Sequence, residues 1–174
     1  MQRLIVDMDG VLADVYSQFR KYEKEESGIN QEPHAIIGKK EGEAYKNVRI
    51  YVNTPGFFLE APVIPGSIEV MEQLNREYEL FIVSSAMEFP LSLYEKYQWL
   101  QQHFPFLSWQ QLVLCGSKKV VSGDIMLDDH FKNLDHFNGK TILFTQPHNQ
   151  LADPGRHERV NNWKEVAELL LPQW

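Results

Sequence analysis

Two carboxylates and a glycine follow the first apolar run of the chain. Leu4–Val6 is a short β-rich run, and Asp7, Asp9 and Gly10 come directly after it. A turn beginning near Met8 would let one side chain and one backbone carbonyl converge on a cation, and Mg²⁺ prefers such oxygen ligands. Gly10 suits close backbone approach because it lacks a side chain. The spacing therefore indicates a place to hold a metal and attack a phosphate.

Two other interpretations of this motif lead to different chemistry. A calcium-binding loop has its glycine at the sixth position and a glutamate at the twelfth. Counted from Asp7, Gly10 is the fourth residue and Gln18 is the twelfth, which excludes the calcium loop. An acidic strand end that faces solvent stays open on the evidence of this motif alone.

Hydroxyl and ammonium groups follow two later apolar runs. Ser84 and Ser85 end the run Leu80–Val83, and hydroxyls at such a point can hold phosphate oxygens. A helix cap would use the same residues. Lys118 lies just beyond Leu112–Leu114, where its ammonium could neutralise phosphate charge, although most lysines are merely solvated.

A second pair of carboxylates ends another apolar run. Asp128 and Asp129 directly follow Ile125–Leu127. Adjacent like charges are unfavourable unless a cation or hydrogen bonds compensate them. An Asp-rich turn would explain the pair if it stood alone, but it repeats the strand-end pattern of Asp7 and Asp9.

The elements that must position these residues alternate along the chain. Helical periodicity occupies Ser67–Glu77, Leu91–His103 and Asn162–Leu171, between or after the apolar runs. This alternation predicts an α/β fold with a parallel sheet, whose ligand sites lie at the carboxyl ends of the strands. The predicted strands are Leu4–Val6, Leu80–Val83, Leu112–Leu114, Ile125–Leu127 and Thr141–Phe144.

Residues 14–62 interrupt the alternation. This stretch is charged and contains the run Glu23–Glu26. We interpret it as a small, mostly helical cap inserted after the first strand, with residues 1–13 and 63–174 forming the core domain. Insertions at this position commonly act as lids that admit substrate and exclude water.

The composition limits the classes of partner. With 174 residues, 43% of them hydrophobic, the chain can bury one core, and its net charge of −7 argues against a nucleic-acid polymer as partner. No stretch approaches the roughly 20 apolar residues of a membrane span, and no basic and apolar leader begins the sequence. We expect a cytoplasmic protein without a membrane partner. The single Cys115 excludes an internal disulfide. We expect surface positions for the six histidines, which are His34, His103, His130, His136, His148 and His157.

Taken in chain order, these motifs resemble those of a known superfamily. Asp7–Gly10, Ser84, Lys118 and Asp128–Asp129 are similar to the four motifs of the haloacid dehalogenase (HAD) superfamily. The resemblance narrows to the 5'(3')-deoxyribonucleotidase family. Its further segments are Asp7–Asp14, Pro55–Phe58, Pro65–Gly66, Tyr94–Trp99, Lys118 with Val120–Val121, and Ile142–Thr145 before His148–Asn149.

The resemblance implies a Rossmann-like three-layer core, a small helical cap and a phosphomonoesterase mechanism. Asp7 would be the nucleophile that forms an aspartyl-phosphate, and Asp9 would protonate the leaving oxygen and then activate water. Ser84, Ser85 and Lys118 would bind the transferring phosphoryl group.

The resemblance also implies a Mg²⁺ cofactor. Its ligands would be the Asp7 side chain, the Asp9 carbonyl and Asp129, with Asp128 close by in an orienting role. The substrate would be a nucleoside monophosphate. Because Val15 stands where the family has an aromatic residue, a non-nucleotide phosphomonoester stays an alternative. So does a phosphate-binding regulatory protein without turnover, and the oligomeric state stays open, a homodimer being one option.

Overall fold

A computed structural model describes residues 1–172, and their apolar runs form one parallel sheet. The six strands lie in the order β3-β2-β1-β4-β5-β6, and every neighbouring pair is parallel. This confirms the predicted α/β class. The predicted core range 63–174 includes two residues that lie outside the described part. The strands are β1 (Arg3–Val6), β2 (Glu79–Ser84), β3 (Leu112–Leu114), β4 (Ile125–Asp128), β5 (Lys140–Phe144) and β6 (Glu158–Val160).

Helices occupy the connections between the strands. The three helices predicted from periodicity are confirmed, each within one residue at either end. Four short 3₁₀ turns accompany them, at Pro33–Ile36, Ala86–Glu88, Trp109–Gln111 and Lys118–Val120. The helices are α1 (Val15–Ser27), α2 (Glu41–Ala44), α3 (Val48–Tyr51), α4 (Ser67–Glu77), α5 (Ser92–His103), α6 (Phe131–Leu134) and α7 (Trp163–Leu170).

Strand β6 was not predicted from the sequence. It has three residues, two of them charged, so it carries no apolar run that periodicity could detect. It pairs with β5 at the edge of the sheet, from Ile142 opposite Glu158 to Phe144 opposite Val160. An edge strand buries less of its surface than a central one, which is why a polar sequence suffices there.

Alternate residues of the central strands feed two separate apolar layers. Leu4 and Val6 pack into the cluster that contains the buried faces of α4, α5 and α7, whereas Ile5 packs into the cluster beneath α6. This alternation follows from the two-residue period of a strand. The sheet is therefore the middle layer of three, and its carboxyl edge is held rigidly from both sides.

Residues 14–62 contribute a third hydrophobic cluster. Its buried members come from α1, α2, α3 and the turns that connect and follow them, and Phe89 from the core packs against it. The boundaries 1–13, 14–62 and 63–174 stay predictions. Among residues 1–172 no helix is both long and apolar enough to cross a bilayer.

Candidate active site

The sheet brings the predicted residues to one edge. Strand β1 is the third strand from one side of the sheet, between β2 and β4. The Asp7 amide donates a hydrogen bond to the Leu127 carbonyl at 2.9 Å, which aligns Asp7 with the end of β4. Asp7, Asp128 and Asp129 each offer a carboxylate oxygen, and these oxygens lie within 4.8 Å of one another.

A tight turn follows Asp7. The amides of Leu12 and Ala13 both donate to the Met8 carbonyl, at 2.8 and 2.9 Å, and Gly10 has a φ of 76°. A Cβ at Gly10 would collide with the Asp129 carboxylate. Glycine is therefore required twice at this position, for the backbone conformation and for the close approach of a carboxylate.

Lys118 joins two of the acidic residues. Its Nζ lies 2.6 Å from Asp7 Oδ1 and 2.6 Å from Asp128 Oδ2, and the side chain is almost fully buried. The 3₁₀ turn Lys118–Val120, which comes after β3, carries the ammonium into the site. The two carboxylates make this burial tolerable, because a buried ammonium without partners would be strongly unfavourable.

The adjacent carboxylates of Asp128 and Asp129 have different surroundings. Asp128 Oδ1 accepts hydrogen bonds from the His130 amide at 2.9 Å and from Asn133 Nδ2 at 3.0 Å, while Oδ2 accepts from Lys118. Asp129 Oδ1 is buried and has no hydrogen-bond partner among residues 1–172. Asp129 is thus the carboxylate with ligand capacity to spare, and Asp128 is an anchor.

The electrostatics of the site favour an additional cation. Burial, and after it the charge of Asp128, raises the pKa of Asp7 to about 8. Burial and Asp128 also raise the pKa of Asp129 well above its usual range. Burial lowers the pKa of Lys118, but the charges of Asp128 and Asp7 outweigh it and raise that pKa overall. A divalent cation would fit this surplus of buried carboxylates.

The serine hydroxyls lie at the end of β2. Ser84 is buried, and its Oγ accepts a hydrogen bond from Lys96 Nζ at 3.0 Å. Ser85 is half-buried and lines the same cavity as Asp7 and Asp9. Both serines therefore lie at the site; Ser85 also precedes the 3₁₀ turn Ala86–Glu88, but its side chain makes no capping hydrogen bond there.

Lys96 is a site residue that the sequence analysis did not identify. Its Nζ forms an ion pair with the Asp9 carboxylate, and its side chain is buried on α5. One signal was present in the sequence, since Lys96 and Trp99 are three residues apart and share the buried face of that helix. We refer to the polar set as the charged floor: Asp7, Asp9, Ser84, Ser85, Lys96, Lys118, Asp128 and Asp129.

The segment after β5 supports the charged floor from outside. Asn149 Nδ2 donates to the Asp129 carbonyl at 2.8 Å, and His148 Nε2 lies 2.9 Å from the same oxygen. The expected surface position was wrong for His148, whose side chain is 8% exposed, and for His157, which is 6% exposed. His157 is buried because Thr141 Oγ1 and Asp135 Oδ1 satisfy its two ring nitrogens, at 2.8 and 3.0 Å.

A cavity opens above the charged floor, and one side of it is apolar. Lys39 and Lys40 are exposed and do not line the cavity. Tyr51 is buried and does not line it either. Phe57 and Phe58 line the cavity and also pack together, with ring centroids 5.0 Å apart. We refer to the apolar side as the aromatic wall: Val15, Phe19, Val48, Val52, Phe57, Phe58 and Phe89.

Comparison with known proteins adds independent information. The sequence pattern of the family described as 5' nucleotidase, deoxy (pyrimidine), cytosolic type C matches residues 1–173. The 5'(3')-deoxyribonucleotidase of Bacillus subtilis is 36% identical over 181 residues, which cover 98% of this chain and all of that protein. A Staphylococcus epidermidis protein that carries a provisional form of the same name is 39% identical over 171 residues, covering 95% of this chain and 93% of that protein.

Solved structures share the fold at low sequence identity. A HAD family hydrolase from Deinococcus radiodurans, solved with phosphate and sodium, superimposes with a TM-score of 0.64 at 13% identity, covering 97% of this chain and 95% of that one. At 13% sequence identity, this similarity shows a shared fold and nothing about function. The shared fold is the parallel sheet with helices on both faces.

Proposed function

The chain belongs to the 5'(3')-deoxyribonucleotidase family and is a hydrolase of phosphomonoesters, and we propose that it acts on nucleoside monophosphates through a covalent phosphate on Asp7. One observation carries the proposal. The cavity combines the charged floor, suited to a phosphate, with the aromatic wall, suited to a flat and weakly polar leaving group. A site for phosphate alone would not need the aromatic side.

In the first step of the proposed reaction, Asp7 attacks the phosphorus atom. Its carboxylate oxygen forms the new bond while the bond to the leaving oxygen breaks, and Asp9 gives its proton to that oxygen. The Met8 amide donates to Asp7 Oδ1 at 2.7 Å, and Lys118 contacts the same oxygen. These contacts hold the nucleophile in one orientation.

In the second step, Asp9 acts as a base. Its carboxylate takes a proton from water, the water oxygen attacks the phosphorus atom, and the bond to Asp7 breaks to release inorganic phosphate. One side chain thus serves as the acid and then as the base. Ser84, Ser85 and Lys118 would hold the phosphoryl oxygens through both steps, when their negative charge must be balanced.

The proposed cofactor is Mg²⁺, held by the Asp7 side chain, the Asp9 carbonyl and Asp129. The buried Asp129 Oδ1 without a partner among residues 1–172 supports this ligand assignment. Four carboxylates and two ammonium groups in the charged floor leave a net of two negative charges when all are ionised. When bound, Mg²⁺ would polarise the phosphoryl group and stabilise its developing charge.

We assign the role of cap to residues 14–62. They supply most of the aromatic wall, and Phe19, Phe57 and Phe58 would pack against a nucleobase. The core side of the aromatic wall is supplied by Phe89, whose ring lies 6.1 Å from the Phe58 ring.

The test is a substrate screen with purified protein. With Mg²⁺ present, deoxyribonucleoside and ribonucleoside 5'- and 3'-monophosphates are compared with sugar phosphates of similar size. We expect the highest kcat/KM for a nucleoside monophosphate. A preference for sugar phosphates would overturn the nucleotide assignment, and no hydrolysis of any phosphomonoester would favour a binding protein without turnover.

The covalent step has its own test. Acid quenching during turnover of a ³²P-labelled substrate should leave label on the protein, and the label should be released by hydroxylamine, which cleaves acyl phosphates. Asp7→Asn should leave no label and Asp129→Asn serves as a comparison that keeps the nucleophile. Label on a residue other than Asp7 would contradict the assignment.

A further inference from the structure

Lys96 is the one cationic side chain of the charged floor to which the two steps above give no task. It is 1% exposed and contacts three groups, which are the Asp9 carboxylate, Ser84 Oγ at 3.0 Å and the face of Phe58, 4.5 Å from the ring centroid. Burial of an ammonium is unfavourable unless it is paired. The ion pair with Asp9 is therefore the contact that permits Lys96 to be there.

The two oxygens of the Asp9 carboxylate have different surroundings. Lys96 Nζ donates a hydrogen bond to Oδ2. Oδ1 is buried and has no hydrogen-bond partner among the described residues. Lys96 therefore anchors the Asp9 carboxylate through one oxygen and fixes the orientation of the whole group.

Helix α5 also holds the segment that carries Phe58. The Glu95 carboxylate accepts hydrogen bonds from the amides of Gly56, Phe58 and Leu59, at 2.6, 3.1 and 3.3 Å. Two consecutive residues of one helix thus bind the backbone of the aromatic wall and the side chain of Asp9. The Phe58 ring covers the Lys96 ammonium, which strengthens its attraction to Asp9 by keeping water away.

We infer that Lys96 is a positioning residue for Asp9, whose Oδ2 it holds so that the carboxyl group keeps the orientation in which it meets the leaving oxygen and then water. The inference rests on the proposed function. Lys96 keeps all three of its protons in both steps, and the proton that moves passes from the Asp9 carboxyl group to the leaving oxygen as the P–O bond breaks. The rival role is a second cation for the phosphoryl oxygens, reached beside Ser84.

Two leaving groups separate these roles. A nucleoside alkoxide needs a proton as it departs, whereas 4-nitrophenolate is a stable anion and needs none. Lys96→Met should lower kcat for the best nucleoside monophosphate, or the best alkyl phosphate of the screen, by about 100-fold, the size of a general-acid contribution. For 4-nitrophenyl phosphate the loss should be no more than about threefold, since proton delivery contributes little there. KM should change little for either substrate.

The matched control removes a lysine from the surface. Lys140 forms an exposed ion pair with Glu158 at 2.9 Å, and Lys140→Met should leave both activities unchanged. Asp9→Asn should reproduce the leaving-group pattern of Lys96→Met, and the double variant should lose no further activity, because the two side chains act as one unit.

Equal losses on both substrates in folded Lys96→Met would overturn the inference, and so would additive losses in the double variant. If Lys96→Met does not melt cooperatively, Lys96→Gln replaces it. Its amide N–H can still hold Asp9, so the loss on the nucleoside monophosphate should be smaller than about 100-fold but larger than the loss on 4-nitrophenyl phosphate, and equal losses on both would again overturn the inference. A wild-type protein that hydrolyses neither substrate would contradict the proposed function itself. That result is distinct from a wild-type enzyme whose leaving-group preference survives the loss of Lys96.

Discussion

The charged floor and the aromatic wall are built by different physical means. Most members of the charged floor are the last residue of a central strand or the first residue after it, so the register of the sheet determines which side chains meet. The aromatic wall comes mainly from short helices and turns that hold their shape by packing against one another. In the proposed function, the charged floor therefore carries the chemistry and the aromatic wall selects the substrate.

The difference implies different tolerance to substitution. A side chain of the charged floor has named polar partners, and its loss leaves a buried charge unpaired. An aromatic side chain of the wall has neighbours that can repack when its volume changes. Substitutions in the charged floor should abolish turnover, and those in the aromatic wall should change which substrates bind.

The largest expected effect is that of Asp7→Asn. Loss of the nucleophile should lower kcat by about four orders of magnitude or more, as in other enzymes with covalent intermediates. The fold should persist, because burial raises the pKa of Asp7 and a neutral amide avoids that cost. Steady-state kinetics and thermal melting measure the two properties. Full activity in this variant would contradict the assignment of Asp7 as the nucleophile, and with it the covalent mechanism.

Lys118→Met should affect both turnover and stability. Its ammonium is the shared partner of Asp7 and Asp128, so its removal leaves two buried carboxylates without a counter-charge. We expect kcat to fall by about three orders of magnitude and the free energy of unfolding to fall by about 3 kcal/mol at neutral pH. The neighbouring Lys119 is exposed, and Lys119→Met is the matched control. A stable and active Lys118→Met protein would show that the charged floor tolerates substitution as well as the aromatic wall does.

Mg²⁺ binding should depend on pH through Asp7. Because burial raises the pKa of Asp7 to about 8, the metal-free protein holds a proton there at neutral pH that Mg²⁺ must displace. The apparent affinity for Mg²⁺ should therefore rise with pH, by about tenfold per pH unit through Asp7 below about pH 8 and more steeply where Asp129, whose pKa is raised too, also loses a proton. Isothermal titration calorimetry in buffers of different ionisation enthalpy measures both the affinity and the released proton.

The same pKa predicts the stability of the metal-free protein. A carboxyl group whose pKa is raised in the folded state stabilises the fold fully at a pH below its ordinary pKa of about 4. This contribution is lost progressively as the pH rises from there to about 8, the pKa of Asp7 in the folded state. The melting temperature in EDTA should fall over this interval, and Mg²⁺ should restore it. In Asp7→Asn the fall should be smaller, and an equal fall there would assign it to another group, such as Asp129.

In the aromatic wall, Phe89→Ala should change substrate binding more than chemistry. Phe89 is half-buried and lines the cavity, stacked near Phe58. Removing one aromatic contact with a base should raise KM for a nucleoside monophosphate by about two- to tenfold with little change in kcat. KM for a small phosphate without a base should not change. Phe106→Ala, at a partly buried position that does not line the cavity, is the control.

The strand ends of the charged floor are the part of the site that a local sequence pattern could locate. Asp7, Ser84 and Asp128 each end a buried apolar run, and parallel strands deliver their ends to one edge of a sheet. Lys96 lies within a helix instead. Its burial depends on a contact with Asp9 that is 87 positions away in sequence, and no local pattern reports such a contact.

Other features escaped prediction for related reasons. His148 and Asn149 bind the backbone carbonyl of Asp129. Every residue has such a carbonyl, so the residue type of the partner gives no sign of the contact in the sequence. Strand β6 lies at a sheet edge and needs no apolar run. The aromatic wall draws Phe89 from the core side, so the composition of residues 14–62 alone does not describe it.

The smallest expected effect concerns the two lysines that precede α2. Lys39 and Lys40 are exposed and do not line the cavity, so their charges are screened by solvent before they reach the phosphate. Replacing both with alanine should change kcat/KM and the free energy of unfolding by no more than about 0.5 kcal/mol each. A selective rise in KM for substrates with a second phosphate group would show that residues 14–62 recognise charge as well as apolar surface. In that event the division between a charged floor and an aromatic wall would have to be redrawn.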